Sequence, residues 1–247
     1  MIHRKGEYMN NTMLFCFPYA GGSGSIYSKW KNYLHPSIEL KPIQYAGRGK
    51  RFQEDCYDDM NHAVNDIFEC IYRVVGNCDY AFFGHSMGGL IAYELCKEIE
   101  SRNFNAPVHI FLSGVKPPNF IREQKVSNLP EKEFKDVILN LNGTPKEILN
   151  NQQLMDIFIP ILRSDFKLIE EYKFSNELYK LNTCITAMYG KLDDVTEEYM
   201  KKWCEFTSRD TVVYGYPGDH FFINENYIDI INLINSTLVG RGDYYEQ

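Results

Sequence analysis

A serine hydroxyl is a poor nucleophile at neutral pH unless a base stands beside it and the backbone presents it to the substrate. The stretch Gly84-His85-Ser86-Met87-Gly88 has the form G-x-S-x-G. Ahead of it runs the apolar segment Tyr80-Ala81-Phe82-Phe83, and behind it Leu90, Ile91, Leu95 and Ile99 recur at helical spacing. Ser86 therefore falls where a strand turns into a helix. Such a corner forces the hydroxyl out over the sheet edge, and small flanking residues let strand and helix approach without a clash. The helix start adds free N–H groups and partial positive charge, so the Met87 N–H is a candidate to stabilise a developing oxyanion. A glycine-rich turn without chemistry is the competing account of the same residues.

The catalytic account requires more of the chain: a histidine in a loop after a late strand, and an acid between it and the serine. Of the six histidines, His3 lies near the start, His35 and His62 precede the serine, His85 is in the corner itself, and His109 opens an apolar strand, where a packed histidine is expected. His220 remains, at the end of the loop Gly215-Tyr216-Pro217-Gly218-Asp219-His220 that follows Thr211–Tyr214. For the acid, Asp193 and Asp194 both follow the strand-like Cys184–Tyr189. Asp193 is preferred, leaving Asp194 solvated or capping a helix over 196–207; Asp219 adjoins the histidine and is a poor choice. The acid would fix the imidazole tautomer and support the imidazolium. A second oxyanion donor should come from the loop Phe17-Pro18-Tyr19-Ala20-Gly21-Gly22, whose successive glycines let backbone approach substrate closely. Four features arrive in the order the mechanism needs, and a chance turn predicts none of the other three.

These residues need a scaffold. The 247 residues, 44% hydrophobic and 24% charged, suit one α/β domain with a large core better than two small ones. Strand patterns at Met13–Phe17, Ile38–Tyr45, 80–83, Val108–Leu112, Cys184–Tyr189 and Thr211–Tyr214 alternate with helical ones at Ile26–Leu34, 57–75, 87–101, 196–207 and 226–238. In 57–75 the apolar stripe is Met60, Ala63, Val64, Ile67, Phe68, Ile71, Val74 and Val75, with Gly76 as the stop. This alternation predicts a parallel sheet with helices on both faces. The rhythm breaks at Lys116-Pro117-Pro118, and residues 117–180 carry helical patterns alone. One helix opens at Pro130 and another at Pro145, the latter running to Tyr172 with a break at Pro160; the segment reads as a helical cap on the sheet. Residues 1–11 and 241–247 read as loose ends.

Composition narrows the function. A formal net charge of −7 argues against nucleic acid as the main partner. No apolar run reaches the roughly 20 residues of a membrane span, and the first residues do not form a secretory signal. Seven scattered cysteines without a C-x-x-C pair point to reduced thiols in the cytoplasm and away from zinc.

In order along the chain, "FPYAGGSGSIYSKW", "IQYAGRGKRF", "FFGHSMGGLIAYEL", "FLSGVKPP", "PILRSDFKLIEEY" and "GDHFFI" resemble the type II thioesterases of nonribosomal peptide and polyketide assembly lines, within the α/β-hydrolase superfamily. The resemblance implies an α/β-hydrolase fold: a mostly parallel central sheet, helices on both faces and a helical lid insertion at about 117–180 in a single domain over 1–247. It implies Ser86, Asp193 and His220 as the triad and the N–H groups of Ala20 and Met87 as the oxyanion hole. It implies hydrolysis of acyl groups from the phosphopantetheine arm of acyl or peptidyl carrier proteins, with no cofactor or metal held by the enzyme; a monomer is the default expectation. Ala46 departs from the family's usual proline before Gly47-Arg48. Arg48, Lys50 and Arg51 read first as a solvated turn, with phosphate or an acidic carrier protein as the alternative partner; Lys116, Arg122 and Lys125 carry the same ambiguity. Tyr19, Phe158, Leu162 and Phe166 are candidate acyl contacts, which core packing would explain equally well for the lid residues. A small-molecule esterase or acyltransferase using the same triad, and a non-catalytic carrier-binding scaffold, are the competing functions.

Overall fold

Strand β3 (Tyr80–His85) is buried along its whole length, and its side chains alternate between two apolar layers, Tyr80 and Phe82 facing one and Ala81 and Phe83 the other. In β1 (Thr12–Phe17), Phe15 and Phe17 oppose Leu14 and Cys16 in the same way. A strand covered on both faces needs apolar residues at every position, so these segments read as unbroken apolar runs. Each fully buried phenylalanine contributes about 1.5–3 kcal/mol. In this computed structural model six strands pair in parallel in the order β2-β1-β3-β4-β5-β6. The remaining four are β2 (Ile38–Pro42), β4 (His109–Ser113), β5 (Cys184–Gly190) and β6 (Thr211–Tyr216). The structure describes residues 11–120, 125–141, 143, 151–175 and 178–240. The expectations for the two ends, for the helix opening at Pro145 and for Arg122 lie outside the described residues.

Helices α1 (Met60–Val75) and α2 (Met87–Ser101) cover one face of the sheet. The other is covered by a 3-10 helix over Gly24–Asn32 and by the last described helix, α6 (Tyr227–Val239). The Asp59 side chain accepts the His62 N–H at 2.8 Å and caps α1. Its stripe is buried as expected except Val74, which is 49% exposed. Other readings shift at their ends. Strand β2 stops at Pro42 on the sheet edge, and the Ile43 N–H just beyond it still donates to Cys16 O at 2.9 Å. The 196–207 helix divides into α5 (Glu197–Lys201) and a 3-10 turn over Lys202–Phe206.

Between β4 and β5 the described residues hold two helices, α3 (Glu131–Asn140) and α4 (Gln152–Glu170), and no strand. Helix α4 runs through Pro160 without the expected break. The proline removes one intrahelical hydrogen bond, but Met155, Ile159 and Leu162 pack with Phe134 and Ile138 of α3 and hold the turns together. Ala20, in the loop after β1, packs against this cluster as well as the main core. Among the described residues no helix is long and apolar enough to cross a membrane.

The strand order reverses at β1 and β3, with the chain leaving toward opposite faces. That opens a crevice at their carboxyl ends, where ligands bind in open α/β sheets. Helix α2 starts hard against this point. A Cβ on Gly88 would lie 2.1 Å from the Phe17 carbonyl oxygen and 2.6 Å from that of Pro18. Both are backbone atoms, so the helix itself would have to move. Gly88→Ala is expected to lower the unfolding free energy by about 1–3 kcal/mol, read from urea denaturation; a midpoint equal to wild type would contradict this packing.

Candidate active site

Ser86 adopts φ 54° and ψ −119°, one of two non-glycine residues with positive φ among those described. Such a conformation costs on the order of 1–3 kcal/mol and persists only when its surroundings impose it. The Ser86 N–H donates to the Ser113 carbonyl at 2.8 Å, and the Ser86 carbonyl accepts from Gly89 N–H at 2.9 Å and Leu90 N–H at 3.3 Å. The backbone is thus tied to β4 on one side and committed to α2 on the other. The Met87 N–H belongs to the first helical turn, where no acceptor exists within the helix.

The end of β5 is pressed against the histidine loop. A Cβ on Gly190 would fall 2.2 Å from the Asp219 carbonyl oxygen. Lys191 N–H donates to Tyr216 O at 2.8 Å and Leu192 N–H to Gly218 O at 2.9 Å. This pairing carries Asp193 to His220: Nδ1 lies 2.8 Å from Oδ2. The other carboxylate oxygen accepts the Val195 N–H at 3.2 Å. An ionised carboxylate can only accept, so Nδ1 carries the proton and the Nε2 lone pair is free for a hydroxyl. The Asp193 side chain is 5% exposed and that of His220 26%. Asp194 is exposed, and of the two candidates Asp193 is the one that faces the imidazole. Asp219 accepts the N–H of Phe221 instead, at 2.9 Å.

The His220 ring centroid is 5.1 Å from that of His85, the residue before the serine. Among the described residues Ser86 Oγ has no hydrogen bond to that ring; such bonds are commonly loose in unliganded sites and close in the complex. His85 is fully buried with Nδ1 2.9 Å from Ser113 Oγ, while its Nε2 has no side-chain or backbone partner. Burial, reinforced by the charge on His220, holds the His85 pKa well below the usual histidine value, so it stays neutral. His109 is a packed core residue, as expected, with Nε2 2.8 Å from Thr186 Oγ1.

Tyr19–Gly22 forms a β-turn in which Gly22 N–H donates to Tyr19 O at 2.9 Å. Gly21 has φ 75°, the value a type II turn requires at its third position. Ala20 is the second residue of that turn. The Tyr19 ring packs edge-on against Phe221 at 5.0 Å and His85 at 5.8 Å. Phe158 and Leu162 of α4 close over Gly21, each 2.8 Å from where its Cβ would stand. Tyr19, Phe158 and Leu162 thus border the turn. Phe166 lies edge-on to Phe134 at 5.9 Å and belongs to the packing between α3 and α4.

Arg48 corrects the sequence reading. It is 4% exposed and reaches neither solvent nor a docking partner. Its Nη1 and Nη2 each donate to the Asp165 carboxylate at 2.6 Å, and Nη1 also to Gly22 O at 3.3 Å. Burial alone would lower the Arg48 pKa, but the hydrogen bonds and charge of Asp165 hold it above the usual arginine value. Arg51 is paired with Asp66 at 2.7 Å, and Lys50 is exposed. Lys116 sits 4.4 Å over the Tyr199 ring, and Lys125 is exposed. The turn bearing Ala46 closes through Gly47 N–H to Arg51 O at 3.1 Å, so alanine serves there in place of proline. Asp165 was missed because its partner stands 117 positions away; an acid on the apolar α4 stripe was the available signal.

The chain matches the thioesterase domain family over residues 12–238. It is 37% identical to gramicidin S biosynthesis protein GrsT of Aneurinibacillus migulanus, over 90% of this chain and 86% of that protein. It is 35% identical to linear gramicidin dehydrogenase LgrE of Brevibacillus parabrevis, over 92% of this chain and 87% of that one. The crystal structure of ClbQ from the colibactin NRPS/PKS pathway superposes with a TM-score of 0.89 at 34% identity, covering 93% of this chain and 98% of that one.

Two outcomes follow from this geometry. Ser86→Gly relieves the positive φ and should be more stable than Ser86→Ala by about 1 kcal/mol in thermal or urea unfolding; equal stabilities would mean the elbow is unstrained. Asp193→Asn should lower kcat by about 10⁴-fold through loss of the correct tautomer, whereas Asp194→Asn should stay within about twofold of wild type. Steady-state hydrolysis of a thioester separates the two.

Proposed function

The chain belongs to the thioesterase domain family, and from that premise we propose that it is a serine thioesterase that frees acyl groups from the phosphopantetheine arm of carrier proteins in nonribosomal peptide or polyketide assembly. The observation that carries the mechanism is the 2.8 Å contact between His220 Nδ1 and Asp193 Oδ2 beside the strained Ser86 elbow. Ser86 Oγ attacks the thioester carbonyl carbon as His220 Nε2 takes its proton. The oxyanion is received by the N–H groups of Ala20 and Met87, which removes on the order of 10²–10³ in rate per donor if lost. The C–S bond breaks and His220 returns the proton to the leaving thiol. A water, deprotonated by the same nitrogen, then attacks the acyl-enzyme carbonyl; the bond to Ser86 Oγ breaks as His220 returns the proton to that oxygen, and the acid is released. Tyr19, Phe158 and Leu162 would border the acyl chain. Every step uses groups of this chain, with no cofactor of its own, and the enzyme is read as a cytoplasmic monomer.

GrsT is named for gramicidin S biosynthesis and ClbQ is from an NRPS/PKS pathway, which supports a carrier-bound substrate over a free one. LgrE is named a dehydrogenase. The loop after β1 here reads Gly22-Ser23-Gly24-Ser25-Ile26-Tyr27 and lacks the third glycine of the dinucleotide fingerprint G-x-G-x-x-G, so that name gives no support for hydride transfer in this chain.

The test is intact-mass spectrometry of carrier protein loaded with short and long acyl groups, alongside the free pantetheine thioester and simple esters. Loss of the acyl mass, with kcat/KM at least about tenfold higher on the loaded carrier than on the esters, is the expected result. Preference for small esters would favour the esterase reading. Failure of a fluorophosphonate to label Ser86 would favour a non-catalytic scaffold.

A further inference from the structure

The turn that carries Ala20 is held from both sides by one buried ion pair. Asp165 Oδ2 accepts the Gly21 N–H at 2.7 Å. Arg48 Nη1 donates to the Gly22 carbonyl at 3.3 Å. Arg48 and Asp165 bind each other through two hydrogen bonds of 2.6 Å, and their side chains are 5% and 3% exposed. A carboxylate is a stronger acceptor for a backbone N–H than a neutral oxygen, so it fixes the orientation of the Ala20–Gly21 peptide. It also brings a liability. An unneutralised negative charge next to a turn that must receive an oxyanion would oppose that charge, and little solvent is present to screen it. The Arg48 guanidinium cancels it on the spot.

We propose that Asp165 is a positioning residue for the oxyanion hole and that Arg48 is its neutralising partner: the carboxylate orients the Ala20–Gly21 turn through the Gly21 N–H, and the guanidinium keeps that carboxylate from repelling the transition state. The proposal rests on the reading of Ser86 as nucleophile and Ala20 as oxyanion donor. It assigns the pair an electrostatic part in catalysis, distinct from anchoring α4 to the loops below it. An anchor predicts that either charge can be lost with the same effect and that loss of both is worst. The positioning role predicts an order set by charge: an isolated carboxylate is the worst state, and neutralising it recovers rate.

The experiment is stopped-flow acylation by p-nitrophenyl acetate, which needs no carrier protein. Rates are normalised to active sites counted by fluorophosphonate labelling of Ser86 taken to completion, so only folded enzyme is counted. Arg48→Met should slow acylation by about 10- to 100-fold with KM within about twofold of wild type. Asp165→Asn keeps a carbonyl to accept the Gly21 N–H and should lose at most about tenfold. The double variant R48M/D165N should recover to within about threefold of D165N. Arg48→Met acylating at the wild-type rate, or the double variant no faster than Arg48→Met, overturns the proposal. Should Arg48→Met fail to fold, Asp165→Ala decides: it must be at least about tenfold slower than D165N, and equal rates overturn the proposal. Hydrolysis by Ser86→Ala at the wild-type rate overturns the Ser86 reading and this inference together, whereas loss of activity in Ser86→Ala with the Arg48 and Asp165 variants unaffected removes the inference alone.

Discussion

Helix α2 begins at the residue after Ser86, with no loop between it and the corner. That constraint governs the site. The chain can turn there only with a backbone that a serine adopts at a cost, and only if α2 lies against the carboxyl ends of β1 and β3. Gly88 permits that approach. The surrounding sheet supplies the force: alternating apolar residues of β1 and β3 are buried in two layers, and the free energy of those layers far exceeds the local strain. The position of Ser86 is thus a product of core packing.

Asp193 and His220 are placed by a different device. Backbone hydrogen bonds from Lys191 and Leu192 to the histidine loop extend the β5–β6 pairing beyond the strands. Two loops joined in this way act as one rigid piece, which explains how Asp193 and His220 meet without a helix to carry either. The Tyr19–Gly22 turn is held by a third device, a buried ion pair spanning the β2 loop and α4. Each device is anchored in a separate part of the fold, and all of them converge at the strand carboxyl ends.

The strands, α2 and the triad candidates were legible because each announces itself locally: an apolar run, a helical stripe, a glycine corner, a histidine in a loop after the last strand. Chain order then linked them. What sequence missed is mostly non-local. Nothing along the chain joins Arg48 to Asp165, so the arginine was read as surface charge when it is among the most buried polar residues. Pro160 looked like a break because the packing of α3 on α4 that sustains the helix is tertiary. Asp193 could be preferred to Asp194 but not chosen outright, since facing an imidazole depends on how the Gly190 end of β5 meets the next loop.

His85 has a consequence for proton traffic. It sets a second imidazole beside the first, 5.1 Å away, in a place where it cannot hold a charge. When His220 becomes positive, its neighbour grows still less able to take a proton. The buried imidazole next to His220 is thereby disfavoured as a second resting place for a proton.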